Sequence, residues 1–137
     1  MEIMGRGLKQ IMQETPEYFH LATKFAGWKL LNKKSPFFGS ADIINVCNLH
    51  CDHCYWWTNR KDNDNELTVE QWKQVIDEKF KKQHVFAVTV VGGEPMMRPD
   101  VVELFANEFP KRSCVVTNGT FPLKKIKNLY FYWVSID

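Results

Sequence analysis

The sequence predicts an α/β fold built on parallel strands. Three observations carry that expectation. From Ser40 onward, short apolar runs rich in β-branched and aromatic residues alternate with amphipathic helical patterns, the order that makes βαβ units. The strand runs are apolar almost throughout rather than alternating, so the sheet is either covered on both faces or closed into a barrel. The residues that carry chemistry follow the ends of those runs, where α/β folds place their sites.

The elements follow in order. Residues 1–39 form a separate N-terminal helical extension, and residues 40–137 form the core. Thr15 before Pro16 reads as a helix start, the hydroxyl as cap and proline at the first helical position. Phe19, Ala22, Phe25, Ala26 and Leu30 then recur at helical spacing, and Asn32 with the following Lys33, Lys34 and Pro36 closes the helix. This amphipathic helix is expected to pack on the core, although its mix of aromatics and lysines also suits a membrane surface.

Ala41 to Val46 reads as the first strand. Thr68 to Lys82 reads as a helix, with Thr68 and Gln71 as a capping box and Val69, Trp72, Val75, Ile76 and Phe80 as its apolar face. Val85 to Val91 is the second strand. Pro99 opens a helix carrying Val101, Val102, Leu104, Phe105 and Phe109. Cys114 to Thr117 is a short third strand, Pro122 to Lys127 a basic connection of one helical turn, and Leu129 to Ile136 a fourth strand. No repeat or low-complexity tract interrupts this order.

The chain has 137 residues, 45% hydrophobic and 25% charged, which suits one folded domain and excludes disorder. A net charge of +2 is too small to imply a nucleic-acid partner. No apolar run reaches a membrane span, and Met1 to Gln13 lacks a signal-peptide core, so the expected location is cytoplasmic. Tight clustering of three of the four cysteines points to metal in a reducing compartment rather than to disulfides. Cys114 stands apart and is expected to be a buried structural thiol.

The cysteine cluster is the sharpest motif. Cys47, Cys51 and Cys54 stand at C-x3-C-x2-C spacing just after the first strand. Three thiolates can hold three irons of a [4Fe–4S] cluster and leave the fourth iron open for chemistry. Zinc is the competing reading, because His50 and His53 lie among the cysteines; a distant second ligand pair, usual for zinc, is missing. Gly92-Gly93-Glu94-Pro95 follows the second strand. Its glycines let backbone come close to a ligand, and Glu94 offers a carboxylate or backbone groups to a cationic amine. Read plainly, the same segment is a tight βα turn.

Asn118-Gly119 is a turn signal after the third strand. Ser135 and Asp137, with one residue between them at the end of the fourth strand, share a side and suit sugar hydroxyls. Asp62 to Glu66 looks briefly like a calcium loop but has Leu67 where glycine belongs and Lys73 where the closing Glu belongs, so it reads as a solvated loop. Tyr55-Trp56-Trp57 suits either core packing or the wall of a pocket.

Taken together, Cys47-x3-Cys51-x2-Cys54 with His53 before the last cysteine, Gly92-Gly93-Glu94-Pro95, Thr117-Asn118-Gly119 and Ser135-Ile136-Asp137 resemble the radical S-adenosylmethionine (SAM) superfamily. Their order and spacing agree from about Ser40 to Asp137. The resemblance implies a parallel (βα) partial TIM-like barrel of which the first four units are present. It implies that Cys47, Cys51 and Cys54 ligate a [4Fe–4S] cluster whose open iron SAM chelates. Gly92 to Pro95 would contact the SAM amino group, with Glu94 as the favoured polar member. Asn118 would belong to the cofactor-binding set, Ser135 and Asp137 would meet the ribose or carboxylate, and His53 would lie by the adenine. The implied activity is reductive cleavage of SAM to a 5′-deoxyadenosyl radical that takes hydrogen from a substrate, such as a peptide, a cofactor precursor or a lipid. A flavodoxin- or ferredoxin-type donor would supply the electron.

The family usually carries six βα units, and the fourth strand is the last one here. The chain is therefore expected to be a fragment, or a half barrel that binds a completing second chain. A non-catalytic module and a small zinc-binding interaction domain are the alternatives.

Overall fold

The computed structural model describes residues 2–32, 35–55 and 65–136. A long helix α1 (Glu2–Leu31) precedes strand β1 (Phe38–Asp42). Helix α2 (Val69–Val75) runs on as a π-helical turn (Ile76–Lys81) into β2 (Ala87–Val91). A 3-10 turn (Pro95–Met97) leads into α3 (Pro99–Glu108), followed by β3 (Ser113–Thr117) and β4 (Phe131–Val134). Among the described residues the four strands form one all-parallel sheet in the order β1-β2-β3-β4. This is the α/β architecture that the alternation predicts.

Local chemistry explains most boundaries. Thr68 and Gln71 make the expected capping box, each side chain bonding the other's backbone N–H. Pro99 sits in the first turn of α3, where a missing N–H costs nothing. Asn32 ends α1 in the left-handed region at φ 50°, as a C-terminal cap does.

Several expectations change. The helix does not start at Thr15; α1 runs through Pro16, whose fixed φ suits a helix and whose ring removes only one intrahelical bond. β1 lies earlier than Ala41 to Val46, because regular pairing with β2 stops at Asp42–Val91 and the chain then bends over the end of β2. Residues 122–127 form no helical turn. Lys33, Lys34, Trp56, Trp57, Asp62, Asn63, Asp64 and Asp137 lie outside the described residues.

One face of the sheet is covered. Ala41, Val88, Val90 and Val115 are buried with Trp72, Ile76, Val101, Val102, Phe105 and Phe109 from the helices. Phe105 meets Trp72 and Phe80 edge-on, at 5.7 and 5.9 Å between ring centroids, so α2 and α3 close over the sheet as one layer. The other face carries Phe38, Ser40, Asp42, Phe131 and Trp133, all exposed. Cys114 belongs to this second face by register, beside Thr89 and Phe131. It is half-buried, not fully buried, with its Sγ 3.5 Å from Thr89 Oγ1. β4 is an edge strand, and Trp133 remains 62% exposed on it.

α1 meets the domain at the amino ends of the strands. Tyr18 packs on Phe86 at 5.3 Å and His20 stacks on His84 at 3.9 Å between centroids. Lys24 Nζ donates to the Pro36 and Gln83 carbonyls. Burial at this junction lowers the Lys24 pKa.

Candidate cluster and cofactor site

The site begins with two glycines after β2. Gly92 has φ +134°, a conformation that side chains rarely adopt, and its N-terminal neighbour is the last residue of the strand. A Cβ on Gly92 would lie 2.6 Å from the Ile44 carbonyl oxygen, and one on Gly93 only 2.1 Å from that of Val46. The space is taken by two hydrogen bonds, Gly93 N to Ile44 O at 2.8 Å and Glu94 N to Val46 O at 2.9 Å. The glycines therefore admit the backbone of the segment that leads into Cys47. They position the cysteine loop by close backbone contact, a role that motif spacing alone did not reveal.

Glu94 also differs from expectation. Its side chain is 0% exposed and does not present its carboxylate to a ligand. One oxygen accepts from Met96 N at 2.9 Å and Thr117 Oγ1 at 2.7 Å; the other accepts from Asn118 N at 2.8 Å. Three donors hold this buried carboxyl group, as the cost of burying it demands. Its carboxylate thus ties the end of β2 to the end of β3, and Pro95 directs the chain into the 3-10 turn behind it.

The turn after β3 closes the ring of contacts. Asn118 Oδ1 accepts from Thr120 N and Thr120 Oγ1, the local bond that makes asparagine a turn former. Gly119 takes φ +72°, and Val134 lies 2.8 Å from where its Cβ would be. Asn118 Nδ2 donates to Asn48 Oδ1 at 2.9 Å, and Asn48 Nδ2 donates to Thr120 Oγ1 at 2.8 Å. The β3 turn is thereby bonded to the cysteine loop. Asn48 is a residue that the sequence reading passed over, since a lone asparagine between cysteines carries no distinctive signal. Glu66, at the end of the stretch expected to be a solvated loop, is instead half-buried: its Oε1 accepts from Asn45 N at 2.6 Å and fixes the approach to the cysteine loop from the other side.

These contacts surround a pocket of about 270 Å³ at the carboxyl end of the sheet. Cys47, Cys51 and Cys54 line it together with His53, Gly92, Gly93, Asn118 and Ser135. Val91 and Val116 add apolar wall, and Tyr55 stands at its side. Ser135 reaches this edge because its N–H donates to Thr117 O at 2.9 Å, continuing the β3–β4 pairing. Glu94 and Pro95 are buried beneath the pocket rather than in its lining.

The donor set fits an iron–sulfur cluster. The three thiols are half-buried, and none is in a disulfide. Cys47 Sγ accepts from Leu49 N at 3.5 Å and Asn118 Nδ2 at 3.8 Å. Bonds of this kind stabilise a thiolate ligand and tune a cluster's potential. Among the described residues, no group of three His, Cys, Asp or Glu side chains is gathered as a single-ion site.

Fold and site thus define a parallel α/β protein with a three-thiol pocket at the carboxyl edge of its sheet. A family model described as the radical SAM superfamily matches residues 42–137, and the chain belongs to that superfamily. It is similar to the Fe-coproporphyrin III synthase of Methanosarcina barkeri, 36% identical over 105 residues, covering 70% of this chain and 25% of the relative. It is similar also to the mycofactocin maturase MftC of Mycobacterium tuberculosis, 41% identical over 63 residues, covering 46% and 16%. The fold resembles that of Streptococcus suis SuiB, solved bound to its precursor peptide SuiA. The TM-score is 0.56 at 22% identity, covering 80% of this chain and 26% of SuiB. The chain spans a minor part of the length of each of these proteins.

Proposed function

We propose that the chain forms the cluster- and SAM-binding part of a radical SAM enzyme working in a reducing compartment. The observation that carries this reading is the shared pocket of Cys47, Cys51 and Cys54 with Gly92, Gly93, Asn118 and Ser135. In this reading Cys47, Cys51 and Cys54 would hold three irons of a [4Fe–4S] cluster, and Gly92, Gly93, Asn118 and Ser135 would hold SAM beside it. When bound, the reduced cluster supplies the electron that cleaves SAM to methionine and a 5′-deoxyadenosyl radical able to abstract hydrogen from a substrate.

This chain's residues bind and orient. The hydrogen bonds of Gly93 and Glu94 to Ile44 and Val46 set the height of the cysteine loop over the sheet edge. The N–H groups of Leu49 and Asn118 donate to Cys47 Sγ and fix its side chain at the pocket wall. Backbone groups of Gly92 and Gly93 line the pocket and are suited to the SAM amino group, while the buried Glu94 carboxylate supports them from behind. His53 and Tyr55 offer flat surfaces for an adenine, and Ser135 a hydroxyl for the ribose. Val91 and Val116 give the pocket an apolar wall, the kind of surface that shielding a reactive radical from water requires.

Anaerobic iron and sulfide reconstitution of the chain tests this. The expected product is brown and carries about four irons per chain. Cys51→Ala should lose the iron while keeping the thermal transition of the unreconstituted protein. A colourless protein with one zinc per chain would overturn the reading. In the whole protein, a low-potential reductant of flavodoxin or ferredoxin type is expected to drive formation of 5′-deoxyadenosine.

The uncovered sheet face favours a second reading for the chain alone, a partial barrel that needs completion. Phe131 and Trp133 on edge strand β4 are exposed, and a further parallel strand would cover them. Native mass spectrometry decides this point, since a lone monomer binding SAM tightly needs no completing segment.

A further inference from the structure

We propose that the outward face of α1 is an anchor that docks the protein on the surface of an anionic bilayer. Phe19, Ala22, Phe25, Ala26 and Leu30 share one side of the helix by their spacing. A helix of a water-soluble domain normally turns such a stripe onto the core. Here the orientation is inverted. Phe19 is 66%, Phe25 52% and Leu30 80% exposed, while the half-buried side carries His20, Lys24 and Gly27 with Leu21 as its one large apolar side chain among residues 18–32. The domain holds α1 by polar and aromatic contacts from His20, Lys24 and Tyr18, and leaves the apolar stripe outside.

Charge identifies the partner. Residues 1–36 hold six basic and three acidic side chains, a net +3, whereas the remaining residues hold twelve basic and thirteen acidic, a net −1. Lys29 lies beside the stripe, its Nζ 4.9 Å from the Trp28 ring and 6.0 Å from the Phe25 ring. An ammonium next to an aromatic rim is the arrangement of a helix lying in a membrane interface, with rings among acyl chains and the charge at the headgroups. The sequence adds Lys33 and Lys34 directly after the helix. Two copies of so positive a segment would repel each other, which disfavours self-association through this face. No described helix is long and apolar enough to cross a membrane, so the contact is with the surface.

The placement leaves the pocket accessible. α1 meets the amino ends of the strands and the cysteine pocket lies at their carboxyl ends, about 17 Å away along five-residue strands. The inference is independent of the cluster chemistry and survives if that fails.

Flotation of the full chain with vesicles tests it. The protein should float with vesicles of phosphatidylcholine plus phosphatidylglycerol, remain behind with phosphatidylcholine alone, and be released by high salt. Phe25→Ser and Leu30→Ser should each lower partitioning about fivefold or more, and Lys29→Glu by about tenfold, with unchanged circular dichroism and melting. All three positions are exposed, so folding should survive. Absence of flotation with anionic vesicles at low salt overturns the proposal. So does equal flotation of the Phe25→Ser/Leu30→Ser double variant. A dimer that this double variant disperses, with neither protein floating, overturns it in favour of a second copy on the face.

Discussion

At the carboxyl ends of the strands, loops are joined by close backbone contacts as well as by side chains; at the amino ends, α1 is attached through side chains. The upper edge uses Gly92 and Gly93 to bring chain segments within hydrogen-bond distance, and buries Glu94 to join two strand ends. The lower edge relies on the His20–His84 stack, Tyr18 on Phe86, and Lys24 on two carbonyls. The first construction tolerates little displacement, because backbone cannot move aside. The second, made through a few side chains at the rim, is expected to open without disturbing the sheet. The proposed cluster site, which would have to hold its ligands in register, calls for the first kind, and a peripheral helix needs only the second.

Substitution at the upper edge should give the largest effects. Gly93→Ala would set a Cβ 2.1 Å from a backbone oxygen, so it should destabilise the fold by about 3 kcal/mol and abolish stoichiometric iron uptake. Urea unfolding and iron analysis read both, and normal values for each would break the contrast. Glu94→Ala comes next. It leaves Thr117 Oγ1 and the N–H groups of Met96 and Asn118 without their buried acceptor, for about 2–3 kcal/mol. Glu94→Gln should cost less, since it retains one carbonyl oxygen.

The lower edge should respond locally. His20→Ala removes one stack and should cost about 1 kcal/mol or less. Amide hydrogen exchange should quicken in α1 and stay unchanged in β2 and β3, as expected of a separately opening unit. Faster exchange throughout the sheet would show that α1 is integral to the core.

The smallest effect concerns Glu108 at the end of α3, which bridges Lys73 and Lys81. Burial pushes its carboxyl pKa up, but hydrogen bonds from Lys81 and Lys73 outweigh this and hold it below the ordinary value. The Lys73 pKa is correspondingly raised, chiefly by Glu108. A depressed carboxyl pKa stabilises the fold above the unfolded value, near pH 4.3, and the benefit fades as pH falls through the lower folded value. The lysines are largely solvated, so the contribution at neutral pH should be about 1 kcal/mol or less. Melting curves of wild type and Glu108→Gln should differ slightly at neutral pH and converge in acid.

Much of this was legible in the residues. The β-branched run before Gly92 and the capping pair Thr68 and Gln71 signal their elements locally, because strand stiffness and helix capping act over a few residues. The three cysteines and the glycine pair declare themselves by spacing. Asn48 and Glu66 did not, because their partners lie 70 and 21 positions away and nothing in the sequence marks the pairing. Pro16 misled for the opposite reason: proline is compatible with both a helix start and a helix interior, and local preference favoured the start.

The sequence by itself determined the α/β order, the parallel sheet and the clustering of thiols, glycines and Asn118 at strand ends, since these follow from period, turn chemistry and connectivity. Only the tertiary structure decided which way groups face. It buried the Glu94 carboxylate under the pocket, filled the glycine corner with the Ile44 to Cys47 backbone, and turned the aromatic stripe of α1 outward. Facing depends on what the rest of the chain leaves uncovered, and periodicity identifies an apolar stripe without naming what will cover it.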